Sequence, residues 1–334
     1  MWSIRLLEQR NCGEKKKIPK DGTAGCQFLF RMTAAVRWFV VASDAEVTSV
    51  GDEFLDGCSV DGGSGLTALD LMPLACLTSV DDGFLSNCGF TSLDLTPLAQ
   101  LTCVGNNFLF DCSELTALDL TPLAQFGKNF LFGCSRLTTL DLTPLALVTN
   151  VGGGFLFVCG GLTALDLTPL ACLTDVGESF LSHCHRLTAL DLTPLARLTQ
   201  VRNAFLAGCT GLTALDLTPF ARHISVGSWF LQGCHGLTAL DLTPLASLTD
   251  VGNSFLVSCA GLTVLDLTPL AQLAKVGDWF LLGCSGLTAL DLTPLAHINS
   301  VGDRFLHGCS GLTALDLTAA PLLATVELCV SPAQ

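Results

Sequence analysis

The strongest constraint on this chain is a repeat. The tripeptide Leu-Asp-Leu recurs around Asp70, Asp94, Asp119, Asp141, Asp166, Asp191, Asp216, Asp241, Asp266, Asp291 and Asp316. From Asp141 onward the interval is 25 residues every time, and the earlier intervals are 24, 25 and 22. A unit this short cannot bury its own apolar side, so successive copies must stack and cover one another. The expected fold is a leucine-rich-repeat solenoid of the α/β, horseshoe-like class. It has a parallel β-sheet on the concave face and short helical turns on the convex face. The interval of 22 reflects a deletion near Phe126, where the usual Leu-Thr-x-Val is missing. An insertion near Val60 to Ser64 widens the first turn. A solenoid absorbs such changes in its surface loops.

Residues 162–186 serve as the reference rung. Leu165 and Leu167 alternate with Ala164, Asp166 and Thr168, so the leucines point inward and the Asp projects from the sheet. Thr168 precedes Pro169, which ends the strand and opens one tight helical turn to Leu173. Val176-Gly177 begins the return. A polar residue then stands two before the Phe (Glu178, Asn253, Asp278, Asp303), a pattern that suits a helix start. Val176, Phe180 and Cys184 are spaced by four and share one face of such a helix. About eight side chains per rung point inward.

Counting back from Val50 places Val36 to Val41 on the Leu-Thr-Ala-Leu-Asp-Leu element, with Val40 at the Asp position. This reads as an atypical N-terminal capping strand. The expected organisation is a basic, disordered segment over 1–35, about twelve rungs over 36–330 and a short tail over 331–334. Leu322 to Val326 starts a half rung with no dedicated cap, so the C-terminal end is an open edge that invites self-association.

The full unit, L-T-A-L-D-L-T-P-L-A-x-L-T-x-V-G-x-x-F-L-x-G-C-x-G, resembles the BspA-like, treponemal class of leucine-rich repeats over residues 36–330. That class shows L-x-x-I-x-I-P, then I-G, then A-F-x-x-C. This chain departs from it by the inserted Thr-Pro-Leu-Ala and by Phe-Leu in place of Ala-Phe. The resemblance implies a surface or secreted protein that adheres to host or neighbouring-cell proteins, with no catalytic residues to carry over. The residues themselves leave the compartment open, because no export signal or anchor stands out and a cytoplasmic location fits equally.

Charge narrows the partners. Residues 1–43 carry eight of the sixteen Lys and Arg and only three acids, Glu8, Glu14 and Asp21. That segment is +5 and the remainder −19, which together make the chain's net −14. Such acidity argues against nucleic acid, which needs clustered cations, and fits basic protein partners, extracellular-matrix proteins included. The Lys15-Lys16-Lys17 run reads as a solvated tail, with a targeting signal as the alternative. No stretch has the length of a transmembrane helix.

Eleven of the seventeen Cys occupy one repeat position: Cys58, Cys88, Cys112, Cys134, Cys159, Cys184, Cys209, Cys234, Cys259, Cys284 and Cys309. They read as a buried column of free thiols. The eleven Asp form the candidate concave binding face. At the ~4.8 Å spacing of neighbouring strands they are expected to repel, to titrate with raised pKa values and to admit weak divalent cation binding. His183-Cys184-His185 is surface variation around a core Cys. No cofactor, metal or catalytic constellation emerges, so an enzyme is not expected. Differences between rungs collect elsewhere, at Arg197, Arg222, Trp229, Trp279 and Arg304, the candidate convex contacts. The expected function is a non-enzymatic protein-interaction or adhesion module. The alternative is a scaffold that assembles through its uncapped C-terminal end.

Overall fold

The structure, a computed structural model, describes residues 29–32, 37–40, 49–57, 71–120, 123, 125–313, 315 and 322. The chain divides into two compact units, Met1–Leu145 and Ala146–Gln334. Asp70, Asp316, Cys58, the Lys15–Lys20 region, the insertion at 60–64 and the C-terminal edge lie outside the described residues.

In the first unit, strands Leu29–Met32 and Arg37–Val40 pair antiparallel, with Leu29 opposite Val40. A strand therefore stands on the N-terminal side of the expected start at residue 36. Four two-residue strands follow in parallel order: Ser49–Val50, Ser79–Val80, Cys103–Val104 and Gln125–Phe126. The deletion does not break this order. Phe126 takes the place that valine holds in the other rungs and stacks on Phe130 at 4.3 Å. Phe54, Phe84, Phe108 and Phe130 form a continuous stack with ring centroids 5.8–6.2 Å apart.

In the second unit, Asn150–Val151 pairs with Asp175–Val176. Ser225–Val226, Asp250–Val251, Lys275–Val276 and Ser300–Val301 form a four-stranded parallel sheet. Its Phe stack runs from Phe155 through Phe180, Phe205, Phe230, Phe255 and Phe280 to Phe305, at 5.2–6.3 Å. The described turns that follow Leu-Asp-Leu are single 3-10 turns on Thr-Pro-Leu or Thr-Pro-Phe, such as Thr168–Leu170 and Thr218–Phe220, and on Met-Pro-Leu at Met72–Leu74. Pro fixes φ for the turn and its missing N–H falls where no helical partner exists.

The strands do not lie where the alternation of Leu165 and Leu167 places them. Leu167 already has φ −89 and ψ −3, so the chain leaves extended geometry before Thr168. Too little extended backbone remains for a ladder, and among the described residues only Ser92–Leu93 with Ala117–Leu118 forms a strand pair on that face. Elsewhere the face keeps single bonds between some rungs, such as Thr213 N–H to the Thr188 carbonyl at 3.3 Å. The in-and-out pattern nevertheless holds: Leu165 and Leu167 are buried and Asp166 is exposed. Leu162 is buried as well, because a turn closed by its N–H on the Cys159 carbonyl interrupts strict alternation.

The ladder forms instead at the valine, where the following glycine lets backbones approach. A Cβ on Gly177 would lie 2.1 Å from the Gly153 nitrogen. In the next rung Arg202 holds this glycine position, and there the sheet is reduced to one bridge between Val201 and Val226.

The expected helix after Val176-Gly177 is absent. Ser179, Leu181 and His183 have φ of 61, 53 and 60, so every second residue is left-handed and no helix propagates. Val176, Phe180 and Cys184 are still buried, and Leu181 joins them. Left-handed backbone strains every residue except glycine and, less so, asparagine. Ala204 (φ 55) occupies the column that Gly83 and Gly154 hold in other rungs. Ala204→Gly is therefore expected to raise the melting temperature, whereas the same change in a helix or strand costs about 0.5–1 kcal/mol. Thermal unfolding followed by circular dichroism checks the sign.

Candidate functional site

The repeat Asp are exposed in both units: Asp94, Asp119 and Asp141 in the first, and Asp166, Asp191, Asp216, Asp241, Asp266 and Asp291 in a row along the second. All but Asp119, whose turn lies outside the described residues, stand two residues before the Thr that starts a 3-10 turn. The first N–H of such a turn has no partner within it. Asp supplies the partner: its Oδ1 accepts the Thr N–H at 2.8 Å in eight rungs, from Asp94–Thr96 to Asp291–Thr293. At Asp216 the Thr218 hydroxyl also donates, at 2.6 Å. The carboxylate thus closes a local turn of its own chain.

This bonding reverses the expected titration. The Thr hydroxyl first, and the Thr N–H second, hold Asp94, Asp141, Asp191, Asp216, Asp241 and Asp266 below the ordinary value of 3.8. Repulsion is present, since Asp216 and Asp166 both push Asp191 up, but it is the smaller effect. Water around exposed carboxylates screens a charge pair far more than it weakens a short, charge-assisted hydrogen bond.

The sign of the pH effect follows. A native carboxyl held below its unfolded value contributes stability above that value and loses it as pH falls. The melting temperature is expected to be flat from neutral pH to about 5 and to drop below about 4 as these carboxyls protonate. A drop already complete near pH 6 would contradict this assignment.

The convex candidates fall into two groups. Arg197 and Arg222 follow the 3-10 turns and are exposed. Trp229 and Trp279, 41 % and 39 % exposed, occupy the left-handed column beside the Phe stack, with φ 58 and 61. Arg304 continues that column at φ 56. Four other rungs place Gly or Asn there (Gly83, Asn107, Asn129, Gly154), the residues that tolerate left-handed backbone, whereas the two tryptophans hold a conformation that their side chains disfavour.

One ladder escaped sequence reasoning. The polar residues before the Phe, read as helix starts, pass bonds from rung to rung. Asn203 Oδ1 accepts Ser228 N–H at 2.9 Å, Ser228 Oγ accepts Asn253 N–H at 3.1 Å, and Asn253 Oδ1 accepts Asp278 N–H at 3.0 Å. Asp278 Oδ1 then accepts Asp303 N–H at 2.9 Å. The signal was the column of Asp, Asn and Ser itself, whose short side chains reach a neighbouring N–H.

The Cys column is buried from Cys88 to Cys309. Most thiols donate to the carbonyl of the left-handed leucine one rung earlier, as Cys184 does to Leu156 at 3.3 Å and Cys309 to Leu281 at 3.0 Å. Burial raises the thiols, Cys209 and Cys259 to about 12 and Cys309 to about 11. His183 and His185 meet edge to face at 5.6 Å, and His185 bonds through Nδ1 to the Gly208 carbonyl at 2.8 Å. Burial first and His185 second lower the His183 pKa. Among the described residues no three His, Cys, Asp or Glu side chains converge to hold a metal, and no helix is long and apolar enough to cross a membrane.

No curated protein matches the chain. Similar solved structures include the functional domain of InlJ from Listeria monocytogenes, described as containing a cysteine ladder. It is 23 % identical over 76 % of this chain, with a TM-score of 0.37, and this chain spans 56 % of its length. A leucine-rich-repeat protein from Bacteroides ovatus is 14 % identical, covering 88 % of this chain and 81 % of its own, with a TM-score of 0.38. The leucine-rich-repeat protein of T. pallidum is 14 % identical, covering 80 % of this chain and 91 % of its own, with a TM-score of 0.34. The family described as BspA type leucine rich repeat region matches residues 41–153, 64–188, 145–263 and 199–321. Over that span the Leu, Phe and Cys columns repeat in register, and the chain belongs to the BspA-type leucine-rich-repeat family.

Proposed function

We propose that this chain is a non-enzymatic protein-binding module whose Asp row engages basic surfaces on partner proteins. The observation that carries the reading is the exposed Asp row, whose local bonds keep its carboxyls ionised well below neutral pH. A row of fixed charges recruits cationic partners and binds them by many weak contacts rather than one deep one. Membership of the BspA-type family, whose repeats typically serve interaction and adhesion, supports the same reading. Trp229, Trp279 and Arg304 are suited to anchor a partner. Arg197 and Arg222 vary the surface next to the turns. Divalent cations are expected to bind weakly, because one oxygen of each carboxylate is already engaged and a tight calcium site needs a multidentate cage.

The test is association with a small basic protein, cytochrome c, measured by surface plasmon resonance at increasing salt. Saturable binding that weakens steeply between 50 and 300 mM salt, about tenfold or more, is the expected result. Binding that ignores salt, or none at the lowest salt, would remove the reading.

A further inference from the structure

Two successive rungs of the second unit depart from the repeat where they meet. Arg202 replaces the glycine, Phe220 replaces a leucine, Arg222-His223-Ile224 replaces the usual x-Leu-Thr, and here the strand ladder is interrupted. A cleft of about 330 Å³ opens at this interruption, lined by Glu178, Arg202, Asn203, Arg222, His223 and Ile224 among others.

Its charges are unevenly satisfied. Arg202 makes a two-pronged contact with Asp175, at 2.9 and 3.0 Å. Glu178 accepts from the Asn203 amide at 3.1 Å. Arg222 is exposed and has no carboxylate partner among the described residues. His223 is 7 % exposed, and its buried Nε2 has no hydrogen-bond partner. Its Nδ1 lies 3.1 Å from the Phe220 carbonyl. A carbonyl only accepts, so Nδ1 carries a proton, and in that tautomer Nε2 is an unmet acceptor. Ile224, in a place usually held by Thr, is 64 % exposed. An unmet buried acceptor and a bare apolar side chain are both costly in a repeat whose neighbouring rungs carry Leu198 and Leu248 at the His223 position.

The three unmet features define one kind of ligand: a carboxylate for Arg222, a nearby N–H for His223 and an apolar group for Ile224. The last residue of a peptide carries all three on a single Cα. We propose that this cleft binds the carboxyl-terminal residue of a partner peptide with an apolar side chain. Arg222 holds the carboxylate as a planar fork, and His223 Nε2 accepts the terminal amide N–H. The site is separate from the Asp row and does not depend on it. Because Nε2 is shielded, side chains at the cleft mouth must shift to seat the ligand, and a single residue is expected to bind in the millimolar range.

The probe is N-acetyl-leucine, with N-acetyl-leucinamide as the control lacking a carboxylate, titrated into the isotope-labelled full chain and followed by amide chemical shifts. Saturable shifts confined to residues 200–203 and 222–226 are expected with the acid, and none with the amide. Arg222→Ser and His223→Leu install the residues that the next rung carries at Ser247 and Leu248, so both variants should fold. Each is expected to weaken binding about tenfold, the effect of losing one charged or buried hydrogen bond. His223→Leu should also melt no lower than the parent. Absence of shifts up to the solubility limit, an equal response to the amide, or parental affinity in both folded variants would overturn the proposal.

Discussion

Phe230→Ala is expected to lower the unfolding free energy by about 3–5 kcal/mol, the cost of emptying a large site in a packed core. Phe230 is fully buried, and its ring stacks on Phe205 at 6.3 Å and on Phe255 at 5.6 Å. In a solenoid each rung is held by its neighbours, so removing this ring weakens two rung-to-rung interfaces at once. Urea unfolding should show the midpoint falling, with the transition broadening if the two sides uncouple. Phe305, with one described ring neighbour at 5.2 Å, should cost less when changed to Ala. A loss below about 1 kcal/mol at Phe230 would mean that the stack does not organise the core.

The second large effect concerns the thiols. The thiolate reacts, not the thiol, and raising Cys209 from 9.0 to about 12 cuts its thiolate fraction about a thousandfold at any pH below 9. Burial adds a further barrier. In the native protein iodoacetamide should modify the exposed Cys76 and Cys103, and more slowly the half-buried Cys172. Cys88, Cys112, Cys134, Cys159, Cys184, Cys209, Cys234, Cys259, Cys284 and Cys309 should react only after unfolding. Peptide mapping by mass spectrometry resolves these positions one by one. Rapid native labelling of Cys209 or Cys234 would contradict the packing of the column.

Stacked rungs, inward Leu165 and Leu167, the tight turn at Thr168-Pro169 and the buried Cys column were all legible in the sequence, because each follows from period and side-chain chemistry. The position of the strands was not. It depends on how early Leu167 leaves extended geometry and on how closely Gly177 lets two backbones approach, and neither has a signature in alternation alone. The polar residues at Glu178, Asn253 and Asp278 do suit a helix start, but the left-handed Ser179 and Leu181 bar a helix, so those side chains bond across rungs instead. The Asp row was seen, yet its titration was read from like charges alone. For Asp191 the bond to its own Thr193 outweighs the repulsion from Asp216 and Asp166, and that local bond is invisible until the turn is built. Arg222 stood out by type. Its neighbours Arg202 and His223 did not, because only the structure brings a glycine position and a leucine position to one cleft.

On the proposed function each Asp of the row has two separable roles: it accepts a hydrogen bond from its own turn and presents charge to a partner. Asn keeps the first and loses the second, since its carbonyl oxygen still accepts the Thr N–H. The measurement is binding and melting of the fourfold variant Asp191→Asn, Asp216→Asn, Asp241→Asn and Asp266→Asn, beside the matching Ala variant. The Asn protein is expected to melt within a few degrees of the parent while its affinity for cytochrome c falls at least about tenfold, and the Ala protein should melt lower than both. An Asn variant that binds as tightly as the parent, with the same salt dependence, would contradict the account.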